Sequence, residues 1–272
     1  MYEAYWELQT RPFENCADPR YYYPSEVHQG ALLKMRYAVE NVRGAALLAG
    51  ESGSGKTLVI NSLRKMLAEK FRPFVHLVFP QMSARELLAY MAHELGAAAS
   101  PVSASVDETV FALKRFLNEN AAHGRHAVVA VDEAQLLLDS GALETMRLLL
   151  NFETDDQPGL TLLLVGQPAI LPALARMPEL EERLAVKCLL RRLNMVETVS
   201  YVTHRLTAAG ITREIFSLEA LGVLHQLTLG NPRRINRLCD LALLIGYAEE
   251  QAVIGPAQIE AVANELVSVS PE

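Results

Sequence analysis

Between residues 45 and 190 the apolar positions alternate between two rhythms. Short, largely apolar runs at residues 45–49, 74–79, 127–131, 160–165 and 186–190, interrupted only by His76, Thr161 and Lys187, have the length of buried strands. Between them, apolar residues recur every three or four positions. Residues 57–70, 84–95, 107–118 and 143–152 therefore read as helices, with Leu58, Leu63, Met66 and Leu67 on one side of the first. Residues 96–105, rich in Ala and Ser, read as a loop. Strands alternating with helices predict parallel crossover units and a sheet covered on both faces. After residue 193 the strands stop, and residues 196–209, 218–227, 234–248 and 257–266 all read as helices. The opening is turn-rich and aromatic, with Pro12-Phe13, Asp18-Pro19 and Tyr21-Tyr22-Tyr23-Pro24, and Ser25 is placed to cap a helix reaching residue 40. The expected class is α/β. An N-terminal linker and helix (1–44) would pack on a parallel core (45–193), followed by a helical domain (194–272). No internal repeat is evident.

Composition narrows the class without choosing a function. The chain has 272 residues, 50% of them hydrophobic and 21% charged, which suits a large core and argues against global disorder. The N-terminus lacks a basic region followed by an apolar run, so no signal peptide is expected. The most apolar late stretch, residues 241–248, is far shorter than the roughly 20 residues a membrane helix needs. A cytoplasmic protein is expected. Cys16, Cys188 and Cys239 lie far apart and form no CxxC pair, the usage of buried free thiols in a reducing compartment. The net charge of −7 weighs against a broad nucleic-acid surface. Arg191-Arg192 and Arg233-Arg234 are the candidates for a local basic patch, and phosphate sensing or solvated helix faces explain them as well. His123 and His126 form an H-x-x-H with no Cys or acidic cluster nearby, so no zinc site is expected. His28, His76, His93, His204 and His225 are read as structural.

The candidate chemistry sits at the ends of the apolar runs. Gly50-Glu51-Ser52-Gly53-Ser54-Gly55-Lys56-Thr57 follows the first strand and opens a helix, with Leu58 next. A polyphosphate needs several N–H groups turned inward, and a glycine-rich turn before a helix N-terminus supplies them. Lys56 would neutralise the β- and γ-phosphates and the Thr57 hydroxyl would bind Mg²⁺, with ATP the expected nucleotide. The alternative is a chance Gly/Ser turn, but the strand before and helix after are the context the motif requires. The third strand ends in Asp132-Glu133, which places carboxylates where ligands bind to parallel sheets. Asp132 would hold Mg²⁺ and Glu133 would polarise the attacking water; an acidic helix cap is the bland reading. Gln167, after the fourth strand, is a candidate for contacting the γ-phosphate and the water, or a turn residue before Pro168. In Gly230-Asn231-Pro232-Arg233-Arg234, Pro232 opens a helix whose first turn carries Arg233 toward the nucleotide. Arg183, before the last core strand, could serve a neighbouring subunit as an arginine finger, or pair with Glu179 or Glu182.

Together these segments resemble the secretion-pathway protein A type of AAA+ ATPase (ExeA/GspA, MshM-like). Tyr5-Trp6, Arg11-Pro12-Phe13, Asp18-Pro19-Arg20 and Tyr23-Pro24-Ser25 with His28 carry the resemblance at the start. Gly50 to Thr57, Asp132-Glu133-Ala134-Gln135 and Gly166-Gln167-Pro168 carry it in the core. His204-Arg205-Leu206, Ala209-Gly210, Gly230 to Asn236 and Leu238-Cys239-Asp240 carry it toward the end. The resemblance implies a five-stranded sheet in the order 5-1-4-3-2 with a helical lid. It implies Gln167 as first sensor, Arg233 as second sensor, Arg183 as finger, and Phe13 near the adenine. The segment before Arg183 is shorter than the family's usual spacing, and the chain ends soon after the lid, where longer members continue into a membrane segment and a peptidoglycan-binding domain. The implied role is a homo-oligomeric ATP-hydrolysing motor or switch, with a protein partner in a secretion, pilus or surface-polysaccharide system, held at the inner membrane through that partner. The alternatives are a DNA-associated ATPase resembling transposition regulators, and a nucleotide-gated interaction module with little turnover.

Overall fold

The computed structural model describes residues 1–15, 19–97, 105–154 and 156–268. They form two compact units. One takes in Glu26–Ser52 and Val59–Leu190; the other takes in Met1–Ser25, Gly53–Leu58 and Arg191–Glu272.

The first unit is built on five parallel strands: β1 (Ala45–Gly50), β2 (Phe74–Leu77), β3 (Ala127–Val131), β4 (Leu160–Gly166) and β5 (Leu184–Leu190). Their order is β2-β3-β4-β1-β5, the expected 5-1-4-3-2 read from the other edge. The three central strands, β1, β3 and β4, are buried at every residue, as their largely apolar runs require. The edge strand β5 alternates, leaving Ala185, Lys187 and Leu189 exposed. Each fully covered Leu or Val contributes roughly 1.5–3 kcal/mol of transfer free energy, so the middle of the sheet dominates this core. Helix α1 (Glu26–Glu40) packs on β5 and β1. Helices α3 (Ala84–Leu95) and α4 (Val106–Ala122) pack on one another, and each starts at a serine that forms a full capping box, Ser83 with Glu86 and Ser105 with Glu108. Gly96, in the left-handed region at φ 82°, stops α3. Helix α5 (Ala142–Leu149) follows β3 and packs on α3.

Three boundaries differ from the periodic pattern. Helix α2 (Lys56–Met66) ends before residue 70, because Phe71 N–H turns back to the Ala68 carbonyl. Strand β2 stops at Leu77, and Val78 and Phe79 beyond it are 61% and 60% exposed. A small hairpin, Glu153–Thr154 with Gln157–Pro158, fills the stretch before β4. Of the loop expected at residues 96–105, residues 98–104 lie outside the described residues, as does Cys16.

The second unit has its own core. Helices α6 (Met195–Ala208), α7 (Leu218–Thr228), α8 (Pro232–Ala248) and α9 (Pro256–Ser268) pack with the opening aromatics. Trp6 is fully buried and its Nε1–H donates to the Leu243 carbonyl at 2.9 Å. A Cβ on Gly246 would lie 2.9 Å from the Trp6 ring, so α8 presents glycine there. Arg205, 2% exposed, donates to the carbonyls of Pro12 and of Glu14 (2.8 Å) and lies 4.3 Å over the Tyr21 ring. Residues 1–25 group with these helices, where their aromatic side chains find apolar partners, and α1 groups with the sheet.

Candidate nucleotide site

The phosphate-loop segment leaves β1 at Gly50 and enters α2 at Lys56. Gly53 and Gly55 have φ of 79° and 95°, the left-handed region where a side chain would be strained. Gly53 meets a second constraint. A Cβ there would lie 2.6 Å from the Arg233 Cβ and 2.8 Å from Asn231 Oδ1. Arg233 N–H donates to the Gly53 carbonyl at 3.3 Å and to Asn231 Oδ1 at 3.1 Å, and Arg234 N–H reaches the same Oδ1 at 3.3 Å. Asn231 thereby caps α8 and sets Arg233 on the turn that touches the loop. Ser54 and Lys56 are buried, Gly55, Thr57 and Leu58 half-buried, and Glu51 and Ser52 exposed. Two left-handed glycines, a buried lysine and a helix N-terminus make a cradle that fits a polyphosphate.

The ends of β3 and β4 carry the acidic pair. Asp132 is 7% exposed, and its N–H continues the sheet by donating to the Leu77 carbonyl at 2.9 Å. Its Oδ1 accepts the Glu133 N–H at 2.9 Å, and its Oδ2 lies 3.4 Å from His76 Nε2. Glu133 stands at φ 48°, ψ 40°, a left-handed conformation costing a non-glycine residue about 1–2 kcal/mol. Its carboxylate accepts from Gln135 Nε2 at 2.6 Å, and Gln167 Nε2 sits 3.5 Å from the same oxygen. Gln135 Oε1 in turn accepts the Gln167 main-chain N–H at 2.8 Å. Gly166, at the end of β4, leaves room for this: a Cβ there would lie 2.9 Å from Gln135 Oε1. Parallel pairing of Val131 with Leu164 sets the residues just beyond β3 beside the end of β4, so residues far apart in the chain meet.

Other sequence candidates fall elsewhere. Arg183 is exposed and donates to the Leu150 carbonyl (2.8 Å) and to Asn151 Oδ1 (2.6 Å); Glu179 pairs instead with Arg147 at 3.2 Å. Phe13 is 1% exposed and packs edge-on against Phe216 within the helical core. His126 bonds Thr161 Oγ1 at 2.9 Å, and burial pushes its pKa down from 6.5 to about 4. Burial also raises the thiols of Cys188 and Cys239, both free. Two residues at the strand ends had no assigned role in the sequence. His76 was read as structural, and Gln135 entered only as part of the family motif. The signal for Gln135 was its place two residues after Glu133; for His76 there was none beyond its strand.

Residues 39–174, half of the chain, match the family model described as AAA domain. The chain belongs to the AAA domain family. That membership makes it a nucleotide-binding protein of the P-loop class. The AAA chain is 35% identical over 275 residues to General secretion pathway protein A of Aeromonas hydrophila, an alignment covering 100% of this chain and 50% of that protein. The resemblance to the secretion-pathway protein A type is thus borne out, and the chain spans about half the length of the curated relative it matches. Among solved structures, the Aeropyrum pernix ORC2 protein (ADPNP-ADP complexes) superposes with a TM-score of 0.72 at 16% identity, over 97% of this chain and 73% of that one. Cdc6p from Pyrobaculum aerophilum gives 0.69 at 14% identity over 93% and 74%. The Thermotoga maritima RuvB Holliday junction branch migration motor gives 0.57 at 14% over 88% and 69%. These likenesses establish an AAA+ fold. No helix among the described residues is long and apolar enough to cross a membrane.

Proposed function

We propose that this AAA protein binds ATP with Mg²⁺ and hydrolyses it, acting as a homo-oligomeric motor or switch in the assembly of a secretion, pilus or surface-polysaccharide system. The observation that carries hydrolysis is the Glu133 carboxylate, fixed by Gln135 and close to Gln167 at the carboxyl ends of adjacent parallel strands. The loop from Gly50 to Thr57, with Leu58, would hold the nucleotide, Lys56 neutralising its phosphates. Thr57 and Asp132 would hold Mg²⁺, whose charge supports phosphoryl transfer. Glu133 would take the proton of the attacking water; Gln167 and Arg233 would report the γ-phosphate. Arg183 would act as a finger only after leaving Leu150 and Asn151. Phe13, whose ring is covered, would act by holding its segment rather than by stacking on adenine.

Residues 45–193 would form the ATPase core, 194–272 the lid and 1–44 the linker. The name of the curated relative supports the secretion-system role; the protein would be cytoplasmic and held at the inner membrane through a partner. A DNA-associated ATPase is the other reading; the net charge of −7 weighs against it. Absence of salt-dependent binding to duplex DNA in fluorescence anisotropy at low salt would remove it. The direct test is steady-state phosphate release with Mg²⁺ and with EDTA, alongside light scattering with a nonhydrolysable analogue. Metal-dependent release and a larger particle with the analogue are expected. Absence of release under all conditions would overturn the hydrolytic reading in favour of a nucleotide-gated module.

A further inference from the structure

We propose that Gln135 is a positioning residue for hydrolysis: its side-chain amide holds one oxygen of Glu133 against the backbone of Gln167 and leaves the other oxygen to meet the attacking water. The inference rests on the reading of Glu133 as the residue that accepts the water's proton.

The amide orientation follows from chemistry. A main-chain N–H can only donate, so the atom of Gln135 that faces Gln167 N–H at 2.8 Å is Oε1. Nε2 is then left for the Glu133 carboxylate, which it meets at 2.6 Å in a charge-assisted bond. The second amide near that carboxylate, Gln167 Nε2 at 3.5 Å, approaches the same Oε2. Among the described residues no hydrogen bond reaches Oε1, so one lone-pair-bearing oxygen is anchored and the other is available.

Three further features serve this contact. The Glu133 main chain is fixed in the left-handed region, with its N–H donated to Asp132 Oδ1 at 2.9 Å. That leaves the side-chain torsions as the freedom the amide removes. Gln135 lies on the short helical turn Ala134–Leu137 directly after Glu133, so its backbone moves with that of the acid. Gly166 keeps the space that Gln135 Oε1 occupies, which any side chain at 166 would invade at 2.9 Å. A glutamine whose only task was to satisfy the Gln167 N–H would not need its amide nitrogen on a carboxylate. The arrangement links the end of β4, where Gln167 sits, to the acid at the end of β3 through one side chain.

The test uses the full chain and three variants, read by phosphate release, by direct binding of a fluorescent ATP analogue and by the unfolding midpoint. Gln135→Leu should lower kcat roughly 10- to 100-fold, the range for one hydrogen bond to a charged group, with nucleotide affinity unchanged. Gly166→Ala removes no polar group but displaces the amide, and should give a smaller loss of the same kind. A glutamine that only supported the fold would lower affinity and the unfolding midpoint along with kcat, so the split between turnover and affinity separates the two roles. Unchanged kcat in Gln135→Leu, or a loss of affinity that accounts for the whole fall in rate, would overturn the inference while the hydrolytic reading stands, provided the wild-type chain and Glu133→Gln still differ. If the wild-type chain releases no phosphate, both fall together.

Discussion

The helical unit and the strand ends of the sheet unit handle their polar groups differently. In the helical unit several of the close contacts run to main-chain groups or depend on missing side chains, beside side-chain pairs such as Tyr201 with Asn236 at 2.8 Å. Arg233 N–H rests on the Gly53 carbonyl, Leu193 N–H on the Gly230 carbonyl at 2.9 Å, and Arg205 on the carbonyls of Pro12 and Glu14. A Cβ on Gly230, at φ 71°, would come within 1.8 Å of the Leu193 oxygen, so no other residue fits that crossing. At the strand ends of the sheet unit, side chains meet side chains: Gln135 with Glu133, and His76 with Asp132. Geometry made of backbone suits holding an anion of fixed shape; a carboxylate held by a side-chain donor, as Glu133 is by Gln135, suits moving a proton. Under the proposed function, damage to the helical unit should change nucleotide affinity, and damage to the strand ends should change turnover.

The largest effect expected is on the helical unit itself. Trp6→Ala removes a fully buried indole and its bond to Leu243, and should cost about 3–5 kcal/mol of stability by denaturant unfolding, with weaker nucleotide binding. An unchanged midpoint would mean that the opening segment is not part of that core.

Trp6 also marks what the sequence could not reveal. Its partner lies 237 positions away, and no local pattern points from one to the other. The sheet was legible because the central strands are short and apolar but for Thr161, and α3 was legible to the residue because Ser83 and Gly96 bracket a periodic run. Helix α2 was read too long because turn chemistry at Ala68 and Phe71 overrides the periodicity. The phosphate loop and the acidic pair were legible because their signal is contiguous. Gln135 and His76 were not, since their significance depends on parallel register: Gln135 meets a residue 32 positions on, and His76 reaches Asp132 from the neighbouring strand. Arg183 was read as a finger or an ion pair, yet the structure gives it a carbonyl and an amide instead.

Next in size is the loop lysine. Lys56→Ala should weaken ATP binding by roughly 10- to 100-fold, the scale of a lost charge-assisted phosphate contact, measured by equilibrium binding of a fluorescent analogue. Unimpaired binding with lost turnover would erase the contrast between the units.

The smallest effect is a pH dependence confined to the sheet unit. Burial lowers the folded pKa of His126 from 6.5 to about 4. Between those values the unfolded chain binds more protons than the folded one, so stability is full above about pH 6.5 and is lost as pH falls toward 4. Unfolding midpoints at pH 7 and pH 5 should show this loss, and His126→Gln should show less of it. An equal loss in the variant would assign the slope to other groups.

The contrast between the units rests most directly on Glu133→Gln, which keeps the shape of the side chain and removes its charge. Phosphate release should fall on the order of 100-fold or more while the affinity for the ATP analogue stays at the wild-type value. Turnover that survives the substitution, or affinity that falls with it, would contradict the assignment of proton transfer to the ends of β3 and β4.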